Sequence, residues 1–563
     1  MTNKEIARKL KLLGFLMELH GENSFKVKAT DSAARRISKL PFPIADKDVA
    51  ELATIPGIGK STAAKISELV TTNTLNELES FLAITPPGVL SIMNVKGIGP
   101  KKAAAFWKEL EIDNLGALWY ACKDNKISAL KGFGQKTQFE IQNLVEFTIA
   151  NEGKFRFADG LKIAKEVLQE LNNINPKPTH ISLTGPFRRK MEVLDSIDFL
   201  ASISKDELST FLHSNEDFTD VKESENAVEG IYKNHILVKL YASEEENFYS
   251  RLVETTGSEE HVNQLKKLLK SEIPHLFNEK AIYEKAGLTF IPAVRREGLN
   301  EIEQAKNKEN SKLIEAKDLK GSLHNHSTWS DGIHSIEEMA LYCRDVLKLE
   351  YFGISDHSKT AVYADGLKID EVYQQWKEID ELNQKLTPFR IFKGIESDIL
   401  ANGSLDYPDE MLAEFDFVVA SIHSQLGMDQ KKATTRLIKA IENPYTTILG
   451  HPTARQLLIR SGYEIDHKKV IDACAANNVV IEINANPLRL DIDWRWIPYC
   501  LEKGVMLSIN PDAHSLSELH YTDFGVVMGQ KGGLTAENCL NCLSLTEIEA
   551  WFKNRQSLNL LNS

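Results

Sequence analysis

From residue 321 to residue 509 the chain alternates short apolar runs with polar breaks and with stretches of helical spacing. The runs are Gly321 to Leu323, Tyr351 to Ile354, Arg390 to Ile395, Phe415 to Ile422, Thr446 to Leu449, Val479 to Ile483 and Val505 to Ile509. Most are rich in β-branched or aromatic residues and are followed by a polar break, so they read as buried strands. Between most of them lies room for a helix, as at Ile336 to Val346 and Ala433 to Glu442. Strand alternating with helix predicts a parallel sheet, and seven such units predict a barrel.

Nine side chains suited to binding metal stand at or just beyond the ends of these runs: His324, His326, Asp331, His357, Glu396, His423, His451, Asp512 and His514. In a barrel, side chains just past the strand ends point into one bowl on the carboxyl-terminal face, so residues far apart in sequence share a site. A single His at a strand end is more often a hydrogen-bonded core residue than a ligand; nine at successive strand ends is a different pattern. Six imidazoles and three carboxylates exceed the needs of one tetrahedral ion, and carboxylates bridge, so the set favours two or three divalent ions. Such clusters suit phosphate ester hydrolysis, supplying hydroxide at neutral pH and neutralising the phosphate oxygens. His334, His467 and His520 fall on helical or loop segments and read as structural.

His324-Asn325-His326, Ser330-Asp331-Gly332, Ser355-Asp356-His357 and Asp512-Ala513-His514 resemble the signature of the polymerase-and-histidinol-phosphatase (PHP) domain over about residues 318 to 555. The resemblance implies a seven-stranded distorted (βα)7 barrel and a trinuclear manganese, zinc or iron centre that hydrolyses phosphate esters, with all nine positions as ligands and Glu396 bridging two ions. Asp356 and Arg455 fall near the bowl, where they either orient ligands or phosphate or make ordinary salt bridges.

The amino-terminal part carries a different pattern. Ile55-Pro56-Gly57-Ile58-Gly59-Lys60 opens a helical stretch through Ile66, and Val95-Lys96-Gly97-Ile98-Gly99-Pro100-Lys101 repeats it before Ala103 to Leu110. Leu130-Lys131-Gly132-Phe133-Gly134-Gln135-Lys136 is a weaker third copy. A Gly-apolar-Gly turn lets backbone approach a phosphate, and the helix start beyond it presents free N–H groups with a favourable dipole. These segments resemble helix-hairpin-helix motifs, which hold DNA backbone without reading sequence. With Phe25 to Ala29 and Ala33 to Ile37 before them, the whole chain resembles a bacterial family X DNA polymerase with a carboxyl-terminal PHP domain. Lys65 falls where some relatives place a Schiff-base lysine for removing a 5'-deoxyribose phosphate; the competing reading is a helix lysine with no chemical role.

The resemblance implies a multidomain chain: a helical lyase-like domain at 1–85, a fingers-like domain at 86–150, a nucleotidyltransferase-like α+β palm at 151–245, a thumb at 246–300, a linker at 301–320 that is either a flexible tether or a charged helix, and the PHP domain at 321–563.

The palm departs from the family pattern. Polymerisation needs two divalent ions held by three carboxylates. Family X supplies them as a Gly-Asp-x-Asp strand and a third Asp on a neighbouring strand. Aligned from Phe187-Arg188-Arg189, this chain reads Asp195-Ser196-Ile197-Asp198, so Ser196 stands at the first carboxylate position and Asp198 at the second, with Asp195 one residue early. Lys239 replaces the third. Gly185-Pro186 stands where the family has Gly-Ser for the triphosphate, and Glu254-Thr255 replaces an aromatic pair ahead of a retained Thr256-Gly257-Ser258. The expectation is a degenerate polymerase site.

Charge refines this picture. Net charge is −13, which by itself argues against nucleic acid. Residues 1 to 150, however, hold 20 Lys and Arg against 16 Asp and Glu, while the rest holds 47 against 64. A mildly basic module ahead of an acidic metal-binding domain is compatible with DNA binding. The start, Met1-Thr2-Asn3-Lys4-Glu5, has no apolar segment behind a basic one, and no long apolar run occurs, so the expectation is a cytoplasmic protein without a membrane partner. The six cysteines read as reduced thiols, the Cys539/Cys542 pair having no second pair to complete a zinc site.

The expected activity is metal-dependent phosphoester hydrolysis on DNA, chiefly as a 3'-5' exonuclease in repair. Removal of 3'-phosphates and abasic-site incision suit the same centre, and gapped, nicked or 3'-ended duplex or single strands are the expected partners. The DNA contacts would come from Gly57, Gly59, Lys60, Gly97, Gly99, Lys101, Gly132, Gly134 and Lys136. The alternatives are an active template-directed polymerase with a PHP exonuclease, and a non-catalytic DNA-end-binding protein with structural metals.

Overall fold

Apolar residues three or four apart, Ile6, Leu10, Leu13 and Met17, make the first helix, Asn3–His20. Thr2 and Glu5 cap its start reciprocally, and Gly21, at φ +85°, ends it. Further helices follow to Ala150, and their apolar faces share one core running from Ile6 to Val145. The computed structural model describes residues 1–174, 180–233, 235–308 and 312–562, with side chains to residue 555. It divides into two units, Met1–Glu152 and the chain from Gly153 onward. The finer boundaries proposed from sequence fall inside these units.

After the helix Phe157–Leu171, the second unit forms a mixed five-stranded sheet: β1 (Ile181–Thr184), β2 (Ile197–Ala201), β3 (Phe218–Glu223), β4 (Ala227–Tyr232) and β5 (Ile236–Ala242), in the order β1-β2-β5-β4-β3. β2 and β5 run parallel, and the other pairs are antiparallel. A separate small core follows, in which Val253, Leu265, Ile282 and Tyr283 pack with Ile302 and Ala305.

Ile302 and Ala305 lie on the helix Glu301–Lys306, so the first part of the expected linker packs against this core. Beyond it, the Ile314 N–H bonds the Leu534 carbonyl at 3.0 Å. The described residues of 301–320 are therefore docked rather than strung out; 309–311 lie outside the described residues.

Seven parallel strands complete the chain: β6 (Gly321–Ser322), β7 (Tyr351–Ile354), β8 (Arg390–Asp398), β9 (Phe417–Ser421), β10 (Ile448–Leu449), β11 (Val480–Asn484) and β12 (Leu507–Asn510). Each is bonded to the next in sequence order. A bridge between Asn325 and Ala513, just past the first and last strands, nearly closes the barrel, and the His326 N–H bonds the Ala513 carbonyl at 2.8 Å. On β8, Phe392, Gly394 and Glu396 share one face by the two-residue period. A Cβ on Gly394 would come within 2.3 Å of the Phe417 ring, and one on Gly353 within 2.8 Å, so the two glycines make room for that ring. Phe552, from the helix that ends the chain, stacks on Phe417 at 5.8 Å.

The barrel is pinned to the segment between β1 and β2 and to Glu297. The Trp494 indole N–H donates to Glu192 at 3.0 Å, and Arg495 pairs with the same carboxylate at 2.8 Å. The buried Lys531 ammonium bonds Glu297 and the Arg189 carbonyl.

Candidate functional site

The barrel strands end in sharp turns that aim polar side chains inward. His324 and Asp512, beyond β6 and β12, both adopt left-handed backbone, with φ +57° and +51°. That conformation costs a non-glycine residue free energy, and here it breaks two strands at the residues that face the bowl. Asp356 is buried and accepts from the Ser327 N–H and hydroxyl, the Ser330 hydroxyl and Gln375, fixing the loop that carries His326 and Asp331.

All nine residues singled out from the sequence come together. They form four overlapping groups whose ligand atoms lie within 4.8 Å of one another: His326, Asp331, His357 and His514; His324, His451 and Asp512; His324, His326 and Glu396; and His357, Glu396 and His423. Glu396 is central. Its Oε1 faces Nε2 of His451, His423 and His324 at 3.0, 3.1 and 3.3 Å, while its Oε2 faces Nδ1 of His357 at 2.9 Å and Nε2 of His326 at 3.7 Å. Asp512 Oδ1 lies 3.2 Å from His326 Nε2, and Asp331 Oδ1 lies 3.3 Å from His514 Nε2.

The donor set fits divalent cations. Despite these close neighbours, buried His324 Nε2, both nitrogens of His326, His357 Nδ1, His451 Nδ1 and Asp331 Oδ1 are not aligned for a hydrogen bond with any of them, and a buried polar atom left without one is costly. Outer carboxylates set the tautomers. Glu482 meets Nδ1 of His324 at 2.5 Å and Asp398 meets Nδ1 of His423 at 2.6 Å, leaving each Nε2 lone pair aimed at the centre. Burial, reinforced by the neighbouring His514 and His357, pushes His326 down to about 4. Burial alone would raise Glu396, but His423, His324 and His357 hold it well below the usual carboxylate range.

Sequence reasoning missed Glu482, Asp398 and Arg489. A signal existed for two of them: Glu482 interrupts the apolar run of β11, and Asp398 is two residues past Glu396 on one strand, hence on its face. Arg455, named as a residue near the bowl, pairs with Asp493 at 2.5 Å and caps the carbonyls of Arg489 and Leu490. A guanidinium that does reach the centre is that of Arg489, with Nε 3.4 Å from Asp512 Oδ2 and Nη1 buried without a hydrogen bond. His467 stacks on Trp496, and His520 bonds the Tyr342 hydroxyl at 2.9 Å; neither belongs to the cluster, nor does His334.

In the palm-like sheet, Asp198 and Lys239 are register partners on β2 and β5, and Lys239 is the partner of Glu229 on β4. Lys239 pairs with Glu229 at 3.6 Å, and the Ser196 hydroxyl donates to Asp198 at 2.6 Å. Asp195 is exposed in the turn before β2, not on the strand. Gly185, at φ +62°, lies so close to Asp198 that a Cβ there would meet Oδ2 at 2.4 Å. Among the described residues, every group of three or more donors able to hold a metal lies in the barrel.

In the amino-terminal unit the three Gly-x-Gly turns are alike. Gly57, Gly97 and Gly132 have φ +88°, +90° and +91°. The residue after each bonds back to the residue two before it, at 2.9, 2.9 and 3.1 Å. Gly59, Gly99 and Gly134 then start the helices Lys60–Thr72, Pro100–Leu110 and Gln135–Ala150 without side-chain caps. These last glycines have extended backbone that any residue adopts, and a Cβ on each would meet nothing within 4 Å. Neither conformation nor packing requires glycine there; close approach by a partner would. Lys60, Lys101 and Lys136 are exposed beside the helix starts. Lys65 is ion-paired to Glu77 at 2.6 Å. No helix among the described residues is long and apolar enough to cross a membrane, and all six cysteines are unpaired.

Known proteins resemble the chain in the same parts. A family described as helix-hairpin-helix domain matches residues 1–75, and a SAM-like helix-hairpin-helix tandem matches residues 89–138. A probable phosphatase of Thermoanaerobacter sp. (strain X514) is 28% identical over 31% of this chain and 73% of its own length. One of Clostridium acetobutylicum is 27% identical over 34% and 78%. The DNA polymerase/3'-5' exonuclease PolX of Bacillus subtilis (strain 168) is 34% identical over 98% of this chain and 100% of its own. With likeness of that extent, and a barrel and helix-hairpin-helix turns where the family carries them, the chain belongs to the PolX family, the family X DNA polymerases that bear a PHP domain.

Proposed function

We propose that this protein hydrolyses phosphodiesters of DNA from the 3' end at the centre in its barrel, and that its polymerase site no longer incorporates nucleotides. The observation that carries the reading is the convergence of nine donor residues around Glu396, with buried nitrogens that have no other partner. His326, Asp331, His357 and His514 would hold one divalent ion, His324, His451 and Asp512 a second, and Glu396 with His423 would complete two or three sites. Such ions, whether manganese, zinc or iron, supply Lewis-acid stabilisation of phosphate charge and a hydrolytic nucleophile at neutral pH.

The chain's own groups do the rest. Glu482 and Asp398 fix the His324 and His423 rings, and Arg489 offers its free Nη1 to a non-bridging phosphate oxygen. The helix starts after Gly59, Gly99 and Gly134, with Lys60, Lys101 and Lys136, hold the DNA backbone independently of sequence. Removal of 3'-phosphates and incision at abasic sites fall within the same chemistry. In the palm-like sheet, Lys239 stands beside Asp198 where a cation would have to bind, which supports loss of polymerisation.

The test is a gel assay with manganese on a primed, gapped duplex, with and without the four nucleotides. Shortening that His324→Ala or Asp512→Ala removes, in folded protein, supports the reading. A second reading, an active polymerase with a PHP exonuclease, draws on the full-length likeness to a protein named as both; extension of the primer would establish it. Binding of DNA ends without shortening would leave a non-catalytic end-binding protein with structural ions.

A further inference from the structure

Beside the centre, the loop after β7 carries a large aromatic side chain to which the proposed chemistry gives no part. Tyr363 is 67% exposed and its neighbour Val362 79%, yet the loop that presents them is firmly held. The Leu367 N–H bonds the His357 carbonyl at 2.8 Å, and the Ser358 N–H bonds the Glu396 carbonyl at 3.0 Å, tying both ends of the loop to residues of the centre. The Thr360 hydroxyl bonds Asp398 at 3.0 Å and Asp406 at 2.9 Å. Ala361 and Ala364 are fully buried on either side of the exposed pair. Gly366 lets the loop close, since a Cβ there would meet the Ser358 carbonyl at 2.0 Å. The Tyr363 ring lies 6.1 Å from the imidazole of His357 and 6.4 Å from that of His423, centroid to centroid. A large aromatic held in solvent at the rim of a phosphoesterase centre leaves apolar surface uncovered in the free protein.

We infer that Tyr363 is the platform on which the base of the 3'-terminal nucleotide stacks while its phosphodiester occupies the centre. The inference rests on the nuclease function proposed above and names what that function leaves open, the group by which the centre selects a nucleotide end over a small phosphate ester. A base is separated from its 5' phosphate by one sugar, and the Tyr363 ring is set off from the imidazoles by a comparable step. Stacking uses the π-face that every base has, so the platform is indifferent to sequence. It also suits a protein whose helix-hairpin-helix turns contact backbone.

The experiment compares two 5'-labelled single-stranded oligonucleotides with manganese, one ending in an ordinary nucleotide and one in a tetrahydrofuran abasic residue. Tyr363→Ala lowers kcat/KM on the ordinary end by roughly 5- to 150-fold, the range that loss of one stacked base gives. The change falls mainly in KM, and removal of the abasic residue is unaffected; Tyr363→Phe behaves as wild type. Metal content and melting temperature show that the centre is intact, as expected for so exposed a side chain. Equal losses on both ends, or no loss on either, overturn the platform while leaving the nuclease reading in place. Wild-type protein that leaves both oligonucleotides whole overturns the nuclease reading and the platform with it.

Discussion

Glu482 meets Nδ1 of His324 at 2.5 Å inside the barrel, and its other oxygen accepts the backbone N–H of His451 at 2.7 Å. One carboxylate therefore orients the His324 ring and anchors the backbone of His451. Glu482→Gln keeps the shape but removes the charge that fixes the His324 tautomer. Manganese affinity, measured by calorimetry on metal-free protein, falls about 10- to 100-fold. Unchanged affinity would make Glu482 a packing residue.

Metal removal reads the centre as a whole. Ions that bind only the folded chain stabilise it, by about 2.7 kcal/mol at a free concentration of 100 times Kd. Chelation lowers the melting temperature and abolishes exonuclease activity, and manganese restores both. A melting temperature indifferent to chelation and metal would show that the barrel donors hold no ion.

In the palm-like sheet, Asp198 has Lys239 as its register partner. Neither manganese nor magnesium with all four nucleotides should lengthen a primer on a gapped duplex, and Asp198→Ala should leave the pattern of shortening unchanged. Lengthening abolished by Asp198→Ala would restore the polymerase.

Glu279 joins Arg188 at 2.7 Å and the fully buried Arg296 at 2.5 Å. Glu279→Ala strands a buried guanidinium and costs about 3–5 kcal/mol in urea titrations. Burial pushes the carboxyl up, but the two arginines overcome this and hold it at about 2, against an ordinary value of 4.5. With the folded value the lower one, the stabilisation is complete above pH 4.5 and is lost as pH falls toward 2. It is worth about 3 kcal/mol, and in Glu279→Gln this part of the acid transition disappears.

Lys60, Lys101 and Lys136 each stand at or one residue past the start of a helix that follows a Gly-x-Gly turn. Replacing any one by Ala weakens DNA binding about equally for unrelated sequences and reduces the slope of log affinity against log salt by about 1. A loss that depended on sequence would place the lysine against bases instead.

Local pattern determined much of this protein. The seven apolar runs lie where the barrel strands form, because a strand buried on both faces is nearly continuously apolar and a polar break follows it. Residues from His324 to His514 could be gathered in thought into one bowl, because a parallel barrel places every strand end on one face. The Gly-x-Gly repeats also carried their geometry on their face, since a left-handed turn favours glycine at Gly57, Gly97 and Gly132. Tertiary structure decided what periodicity does not encode. Whether Arg455 or Arg489 reaches the centre depends on how one loop folds back onto another; that Glu482 and Asp398 hold imidazoles depends on contacts across strands; and the docking of 301–308 depends on Ile302 and Ala305 finding a core that other segments build. Periodicity specifies which face of an element is buried, while the partner it meets there is set by the packing of the whole chain.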